Sequence, residues 1–276
     1  MRQLSGLHLA ISNNVSSTSN MKQLTRCSVM LSAIFALCLP LFATDNINLI
    51  MAKAEQGDAI AQNILGNRYA NGKGVEKDEV EAVKWYRKAA EQGDDFAQFN
   101  LSLCYAKGKG VEKDEVEAVK WSREAAGQGI AWAQFNLGVS YANGMGVEKN
   151  EAEAVKWFRQ AADQGLAMAQ YSLGCCYGNG EGVEKDEAES VKWYRKAAEQ
   201  GNADAQYNLG CCYDNGHGVE KDQVEAYAFY NLAAISIQNA NDRREYLKKK
   251  MSPSQVAEGQ RRTKELKAEV VKSKGE

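Results

Sequence analysis

Proline and histidine are nearly missing from this chain of 276 residues. The only prolines are Pro40 and Pro253, and more than two hundred residues separate them. Because proline interrupts helices and is common in turns, this gap favours long runs of helix over strand-and-turn architecture. The only histidines are His8 and His217, so a Ser-His-Asp or Cys-His site would depend on His217, which lies in a glycine-rich turn. The sequence therefore argues against an enzyme of either kind.

Basic residues are scarce in the body of the chain. Residues 44–240 carry 30 acids and 20 bases, whereas residues 241–276 carry 6 acids and 11 bases. Phosphate binding needs clustered Lys and Arg, so nucleic acid is not expected as a partner of the acidic body. Only the basic tail could bind it.

The N-terminal region lacks an apolar run of the roughly 20 residues that a membrane span needs. After Met21, two basic residues precede an apolar stretch that ends near Ala43, a pattern typical of a signal peptide. We therefore expect residues 1–43 to be a leader and signal peptide, with the true start at Met21, and the protein to be periplasmic or secreted. A membrane anchor is the alternative, but no stable membrane insertion is expected after cleavage.

The sequence repeats itself with a period of 36 residues. Trp85 recurs as Trp121, Trp157 and Trp193, and Phe229 stands in the fifth copy. Self-similarity of this length indicates a solenoid of stacked supersecondary units. The predicted segments are an N-capping helix at 44–57, repeats at 58–93, 94–129, 130–165, 166–201 and 202–237, and C-terminal capping helices with a basic tail at 238–276.

Two helices are predicted in each unit. In helix A, Ala61, Leu65 and Tyr69 lie four residues apart and share one face. Helix B opens with an acidic capping box formed by Asp78 and Glu81. The Gly-x-Gly-Val segment between them is interpreted as a turn whose Val enters the core. The fold class is therefore all-α, a right-handed α-solenoid of five helix-turn-helix repeats with a C-terminal helical cap.

Glycine interrupts helix A at Gly66 and at three of its four equivalents, with Ser102 in the second repeat. Ala would be the better helix former there by about 1 kcal/mol, so a close helix-to-helix approach is expected. At the C-terminal end, Leu232 replaces a polar residue of helix B, which suits a unit with an extra cover. The predicted cover is a helix near 241–250 and a last helix that starts after Ser252 and runs to about residue 270.

These residues give the pattern A-x-x-x-L-G-x-x-Y-x-x-G-x-G-V, followed by D, A-x-x-W, A-A and G. The pattern resembles the Sel1-like repeat (SLR), a relative of the tetratricopeptide repeat with a longer period, and the tail resembles that of exported bacterial members. The departures are Ser102 for Gly, Ser190 for Ala and Phe229 for Trp. The resemblance implies a scaffold that binds protein, and it covers about 180 residues.

An enzyme alternative comes only from that resemblance. A cysteine-rich subgroup of the family has been linked to penicillin binding and β-lactam hydrolysis, and it staples its repeats with disulfides. Here Ala90 and Gln98 stand at the positions matched to those cysteines, and the only S-x-x-K motif, from Ser19 to Lys22, lies in the leader. We therefore predict no catalytic residue, no cofactor and no metal site.

Cysteines after the leader are expected to be small core or groove residues. Four of them form two vicinal pairs at the same helix A position of adjacent repeats, about 10 Å apart, which is too far for a disulfide. The five are Cys104, Cys175, Cys176, Cys211 and Cys212.

The interaction hypothesis concerns the concave surface formed by helices A. Asn is a poor helix residue, so its repetition at one mid-helix position needs a reason. A ladder of amides could bind the backbone of an extended peptide, or it could bridge neighbouring helices structurally. The predicted peptide-binding residues are Asn100, Asn136, Ser172, Asn208, Arg68 and Ser140. A secreted factor acting on a host or competitor cell is the alternative function.

Overall fold

The computed structural model describes residues 47–273, so the predicted leader, signal peptide and start site lie outside the described residues. Within that range the chain forms thirteen helices and no strand, which confirms the predicted all-α solenoid. The helices are α1 (47–55), α2 (Ala59–Asn71), α3 (Glu79–Glu91), α4 (Asp95–Lys107), α5 (Glu115–Gly127), α6 (Ala131–Asn143), α7 (Glu151–Asp163), α8 (Ala167–Asn179), α9 (Glu187–Glu199), α10 (Ala203–Asn215), α11 (Gln223–Ala233), α12 (Gln238–Lys250) and α13 (Pro253–Ser273).

The helices of the repeats alternate between two layers. We call α2, α4, α6, α8 and α10 helices A, and α3, α5, α7, α9 and α11 helices B. Helices A from α4 onward pack against the helix B of their own repeat and that of the preceding repeat. The first helix A packs against its own helix B and, in place of a preceding helix B, against α1 through the fully buried Ala54. Each helix A contributes one fully buried Leu, so the core is a row of small clusters along the stack.

Helix B begins with only half of the predicted capping box. The Asp78 carboxylate accepts hydrogen bonds from the backbone N–H groups of Val80 and Glu81, both at 2.9 Å. The reciprocal bond is not formed, because the Asp78 N–H already donates to the Tyr69 carbonyl of helix A at 3.0 Å. The Glu81 carboxylate pairs with Lys84 instead, at 2.8 Å. The first turn of helix B is therefore tied to the last turn of helix A.

Close helix packing explains the glycines within helix A. A Cβ atom on Gly138 would lie 2.6 Å from the ring of Phe158 on helix B, and Gly66, Gly174 and Gly210 face a Tyr ring just as closely. In the second repeat the pair is different, because Ser102 is matched by the small Ser122, and both are buried. A larger residue on helix A is thus matched by a smaller one on helix B at this contact.

The Gly-x-Gly turn of one repeat lies against the preceding repeat. Gly146 has a φ of +66°, and a Cβ atom there would fall 2.0 Å from the Glu115 carbonyl oxygen at the start of helix α5. Only glycine allows this approach of two backbones. Val147, next in the turn, packs against the core cluster as predicted.

The C-terminal helices cover the fifth repeat. Both α12 and α13 pack on α11, and α13 also reaches α9. Leu232 and Leu266 are buried in one cluster, which accounts for the apolar residue at position 232. Helix α13 opens with a complete capping box, in which Ser252 and Gln255 each accept from the other's backbone N–H.

A relay of buried glutamines joins the repeats. The Gln134 side chain donates to the Ala126 carbonyl of the preceding helix B at 3.2 Å and accepts from Gln164 of its own helix B at 2.7 Å. The same donation recurs at Gln62, Gln98, Gln170 and Gln206. In the last repeat, the position of the second glutamine is occupied by Ser236. The relay satisfies polar groups inside each repeat junction.

Candidate protein-binding surface

Each helix A presents one ridge of side chains away from helix B. The ridge consists of the positions of residues 60, 64, 67 and 71, at spacings of four, three and four that place them on one face of a helix. All of these positions are exposed or half-buried in all five repeats. We call the five ridges together the helix A face.

The predicted Asn ladder lies on the helix A face, but its members differ in what they contact. The Asn100 amide donates to the Asn63 side-chain oxygen of the preceding repeat at 3.0 Å, and Asn63 in turn donates to Asp94 at 3.0 Å. The Asn208 side chain lies beside the hydroxyls of Tyr171 and Tyr194, again in the preceding repeat. These two amides bridge neighbouring helices A, as the structural alternative predicts.

Asn136 and Ser172 have no side-chain hydrogen bond within residues 47–273. The reason is visible one repeat earlier, where the residues that correspond to Asn63 and Tyr171 are Phe99 and Phe135. A phenyl ring offers neither a donor nor an acceptor of the usual kind. The hydrogen-bonding capacity of Asn136 and Ser172 is therefore unused among residues 47–273.

Arg68 and Ser140 lie four residues after the ladder position of their helix A, and both are half-buried. At the same position Cys176 is buried with Tyr141 and Phe135 of the preceding repeat. This row thus lies beside the helix A face, against the neighbouring repeat.

The five cysteines within residues 47–273 are free thiols, and burial raises the pKa of three of them. Burial raises the pKa of Cys104 to about 11 and those of Cys176 and Cys212 to about 12. Cys175 and Cys211 accept hydrogen bonds from the Tyr194 and Tyr230 hydroxyls, both at 3.4 Å. Thiols of high pKa are poor nucleophiles at neutral pH.

Within residues 47–273, no group of three or more His, Cys, Asp and Glu side chains could hold a metal ion. Over the same residues, no helix combines the length and apolarity needed to cross a bilayer.

Sequence reasoning missed a row of large apolar side chains at the first position of the helix A face. Ile60, Phe96, Trp132 and Met168 are 67, 59, 47 and 45% exposed. The signal was present in the sequence as four large apolar residues at one register. It was hidden because the four differ in identity and because Asp204 ends the row.

A stack of two-helix units with a continuous, variable outer face defines an α-solenoid scaffold. A family model described as the Sel1 repeat matches residues 59–94, 95–130, 133–166, 167–202 and 203–235. These matches cover more than half of the chain, which therefore belongs to the Sel1 repeat family. Sel1 repeats generally serve as scaffolds for protein–protein interaction, and the fold is typically non-enzymatic.

Solved structures and one curated protein resemble the chain. The structure of c5321, described as a protective antigen of uropathogenic Escherichia coli strains with an SLR fold, is 36% identical with a TM-score of 0.75, and covers 84% of this chain and 51% of its own. A Sel1 repeat protein from Oxalobacter formigenes is 39% identical with a TM-score of 0.67, and covers 74% of this chain and 84% of its own.

The curated relative is the secretory immunoglobulin A-binding protein EsiB of Escherichia coli O6:H1 (strain CFT073). It is 44% identical over 63 residues, which are 22% of this chain and 13% of EsiB. The chain therefore spans about half of c5321 and a small part of EsiB.

Proposed function

We propose that this chain is an exported scaffold that holds a protein or a peptide on its helix A face, the concave surface expected of such a solenoid. The observation that carries the proposal is the continuity of that face, because five helices A present the same four positions to solvent. A rigid row of parallel helices can bind an extended segment over several repeats.

The middle of the face supplies the polar contacts. Asn136 can donate to and accept from a peptide backbone, and Ser172 adds a hydroxyl in the next repeat. Asn100 and Asn208 hold neighbouring helices A and fix the spacing of the face. Arg68 and Ser140 border the face and complete the predicted binding set.

The test is capture of a partner from the native envelope by the full-length chain with a C-terminal tag. A variant with Asn136→Ala and Ser172→Ala should lose the partner while its helical circular dichroism is unchanged. The matched control is Glu124→Ala, an exposed change on helix B, which should retain it. Equal retention by all three proteins would move the binding site to helices B, the turns or the basic tail.

A second candidate is a secreted factor that binds a host protein, and the observation that favours it is the similarity to EsiB, a secretory immunoglobulin A-binding protein. This function predicts the protein in the culture medium rather than the periplasm, together with saturable binding to purified secretory immunoglobulin A. Periplasmic retention with no such binding would contradict it. The penicillin-binding alternative is tested by labelling with a fluorescent penicillin, and a scaffold should take no covalent label.

A further inference from the structure

The exposed apolar row forms one surface along the helix A face. We call Ile60, Phe96, Trp132 and Met168 the apolar strip. A single exposed apolar residue is ordinary, but four at the same register of consecutive repeats place large apolar side chains side by side along the stack. The next position of the first repeat, Ile64, is also apolar and is 40% exposed.

The centre of the strip is held in place from below. The Trp132 ring meets the Phe135 ring edge-on, with centroids 6.2 Å apart and planes at 87°. Phe135 is itself buried and packs on Phe158, with centroids at 5.8 Å. Trp132 is therefore partly preorganised, whereas Met168 in the next repeat is flexible. Aromatic and Met side chains of this kind are enriched where proteins bind one another.

Acidic residues predominate beside the strip, although Lys53 lines a pocket with Asp58 and Ile60 in the first repeat. The segments between helix B and the strip are residues 55–60, 91–96, 127–132, 163–168 and 199–204, and they contain eight acids and no Lys or Arg. The acids are Glu55, Asp58, Glu91, Asp94, Asp95, Asp163, Glu199 and Asp204. The Gly-x-Gly turns at the opposite end of helix A carry both Glu and Lys in every repeat. The bordering segments thus carry acids alone, whereas acids and bases are mixed at the turns.

The third and fourth repeats add apolar residues to the end of helix A that carries the strip. Asp58, Asp94 and Asn202 cap their helices A through a side-chain oxygen, but Ile130 and Leu166 stand at the same position without a cap bond. Losing such a cap destabilises the start of a helix. Both residues are half-buried against the core, so packing offsets part of that cost. The result is an apolar centre with acids toward both ends.

We propose that the apolar strip binds a protein segment in which large apolar side chains alternate with Lys or Arg. The apolar side chains would cover Trp132 and Met168, and the basic ones would face the acids of the bordering segments. Opposite charge along the rim sets the orientation and excludes acidic segments. This inference rests on the proposed function, because the strip is one edge of the helix A face.

The probe is a fluorescein-labelled synthetic peptide of leucine and lysine, measured by fluorescence anisotropy with the full-length chain. Two comparison peptides replace leucine by serine or lysine by glutamate, and both should bind far more weakly. Trp132→Ser combined with Met168→Ser should raise the Kd roughly tenfold or more. The matched control is Val80→Ser combined with Val116→Ser, two helix B residues that are 54 and 64% exposed, and it should leave the Kd unchanged.

A second pair of variants tests the charge. Glu91→Gln with Asp163→Asn should weaken binding about fivefold at low salt and little at high salt. Glu112→Gln with Glu148→Gln removes the same charge from the turns and should have a smaller effect. Equal loss in both charge variants, tight binding of the glutamate peptide, or no loss in the Trp132 and Met168 variant would each overturn the inference.

The proposed function is judged separately, because envelope capture by the Asn136 and Ser172 variant involves no synthetic peptide. Sedimentation of the protein alone completes the test. If the chain dimerises and Met168→Ser abolishes the dimer, the strip is filled by the basic tail or another part of a second copy, and the inference is wrong.

Discussion

The two faces of helix A follow opposite rules. On the buried face, the positions of residues 61, 62 and 65 are Ala, Gln and Leu in all five repeats. On the exposed face, the position of residue 60 is Ile, Phe, Trp, Met and then Asp. The buried face must fit the same neighbour each time, so its residues are fixed by packing. The exposed face is free of that demand and can be matched to a partner.

The largest effect should come from a change at the backbone contact between repeats. In Gly146→Ala the new Cβ would overlap the Glu115 carbonyl at a positive φ, so the unfolding free energy should fall by about 3 kcal/mol or more. Urea denaturation followed by circular dichroism measures this. Gly129→Ala is the control, because its φ of +97° is also strained but no atom lies within 4 Å of the new Cβ. An equal loss in both would show that strain, and not the contact, matters.

The glutamine relay should come next. Gln170→Ala removes two hydrogen bonds, one to the Ala162 carbonyl and one from the Gln200 amide, so we expect a loss of about 2 kcal/mol in the unfolding free energy even though both groups keep a bond to the Gly165 backbone. Gln206→Ala should cost less, because only its bond to Ala198 joins it to other described residues. If Gln206→Ala proves as costly as Gln170→Ala, the bond between paired glutamines contributes little.

The pairing of a glycine in helix A with an aromatic ring in helix B can be tested in the second repeat, where both positions are Ser. Ser122→Tyr alone would drive a ring into the Cβ of Ser102 and should cost about 1 to 3 kcal/mol in stability. Adding Ser102→Gly recreates the pair seen in the other repeats, with Phe99 available to pack on the new ring. The double variant should recover at least 1 kcal/mol relative to the single one. Additive effects in the double-mutant cycle would contradict the pairing.

A smaller difference should separate two asparagines of the ladder. Asn100→Ala removes the partner of Asn63 and should lower the unfolding free energy by about 1 kcal/mol. Asn136→Ala breaks no bond within the described residues and should change stability by less than about 0.5 kcal/mol. Equal losses would mean that Asn136 supports the stack as Asn100 does.

The smallest effect should appear in alkaline solution. Because burial raises the pKa of Cys176 and Cys212 to about 12 from a usual value of 9.0, the folded protein holds their protons at a pH where the unfolded chain releases them. Their contribution to stability is complete below pH 9.0 and is lost as the pH rises toward 12. The urea midpoint of the Cys176→Ala, Cys212→Ala variant should therefore depend less on pH above 9.0 than that of the unaltered protein.

The repeats explain why so much of the fold was predictable. Five copies of Ala61, Leu65 and Tyr69 define the buried face of helix A. The contacts between repeats were harder to predict from the sequence. Gln62 has the polar side chain typical of a surface residue, and only the packed structure shows that its amide is buried. The sequence predicts Arg68 and Ser140 on the concave surface. Their position lies about 100° around the helix from position 67 of the helix A face, so it turns toward the neighbouring repeat.

The exposed site was less predictable than the fold. A ladder of Asn residues suggests one shared role, yet Asn100 and Asn136 differ because of the residue one repeat earlier, Asn63 or Phe99. That dependence on a neighbour 37 residues away cannot be seen in any single helix. The apolar strip was missed for a related reason, since its residues share size and register rather than identity.

The contact between each Gly-x-Gly turn and the preceding helix B also limits how such a chain can grow. An extra residue in the turn would disrupt the backbone contact between Gly146 and Glu115. The number of residues per repeat is therefore fixed. Repeats 2 to 4 meet their neighbours through equivalent groups and could be duplicated or deleted as whole 36-residue modules. The fifth repeat could not be duplicated or deleted in this way, because its Leu232 packs against Leu266 of helix α13. The reach of the binding face is therefore adjustable in whole modules, inserted ahead of an unaltered final one.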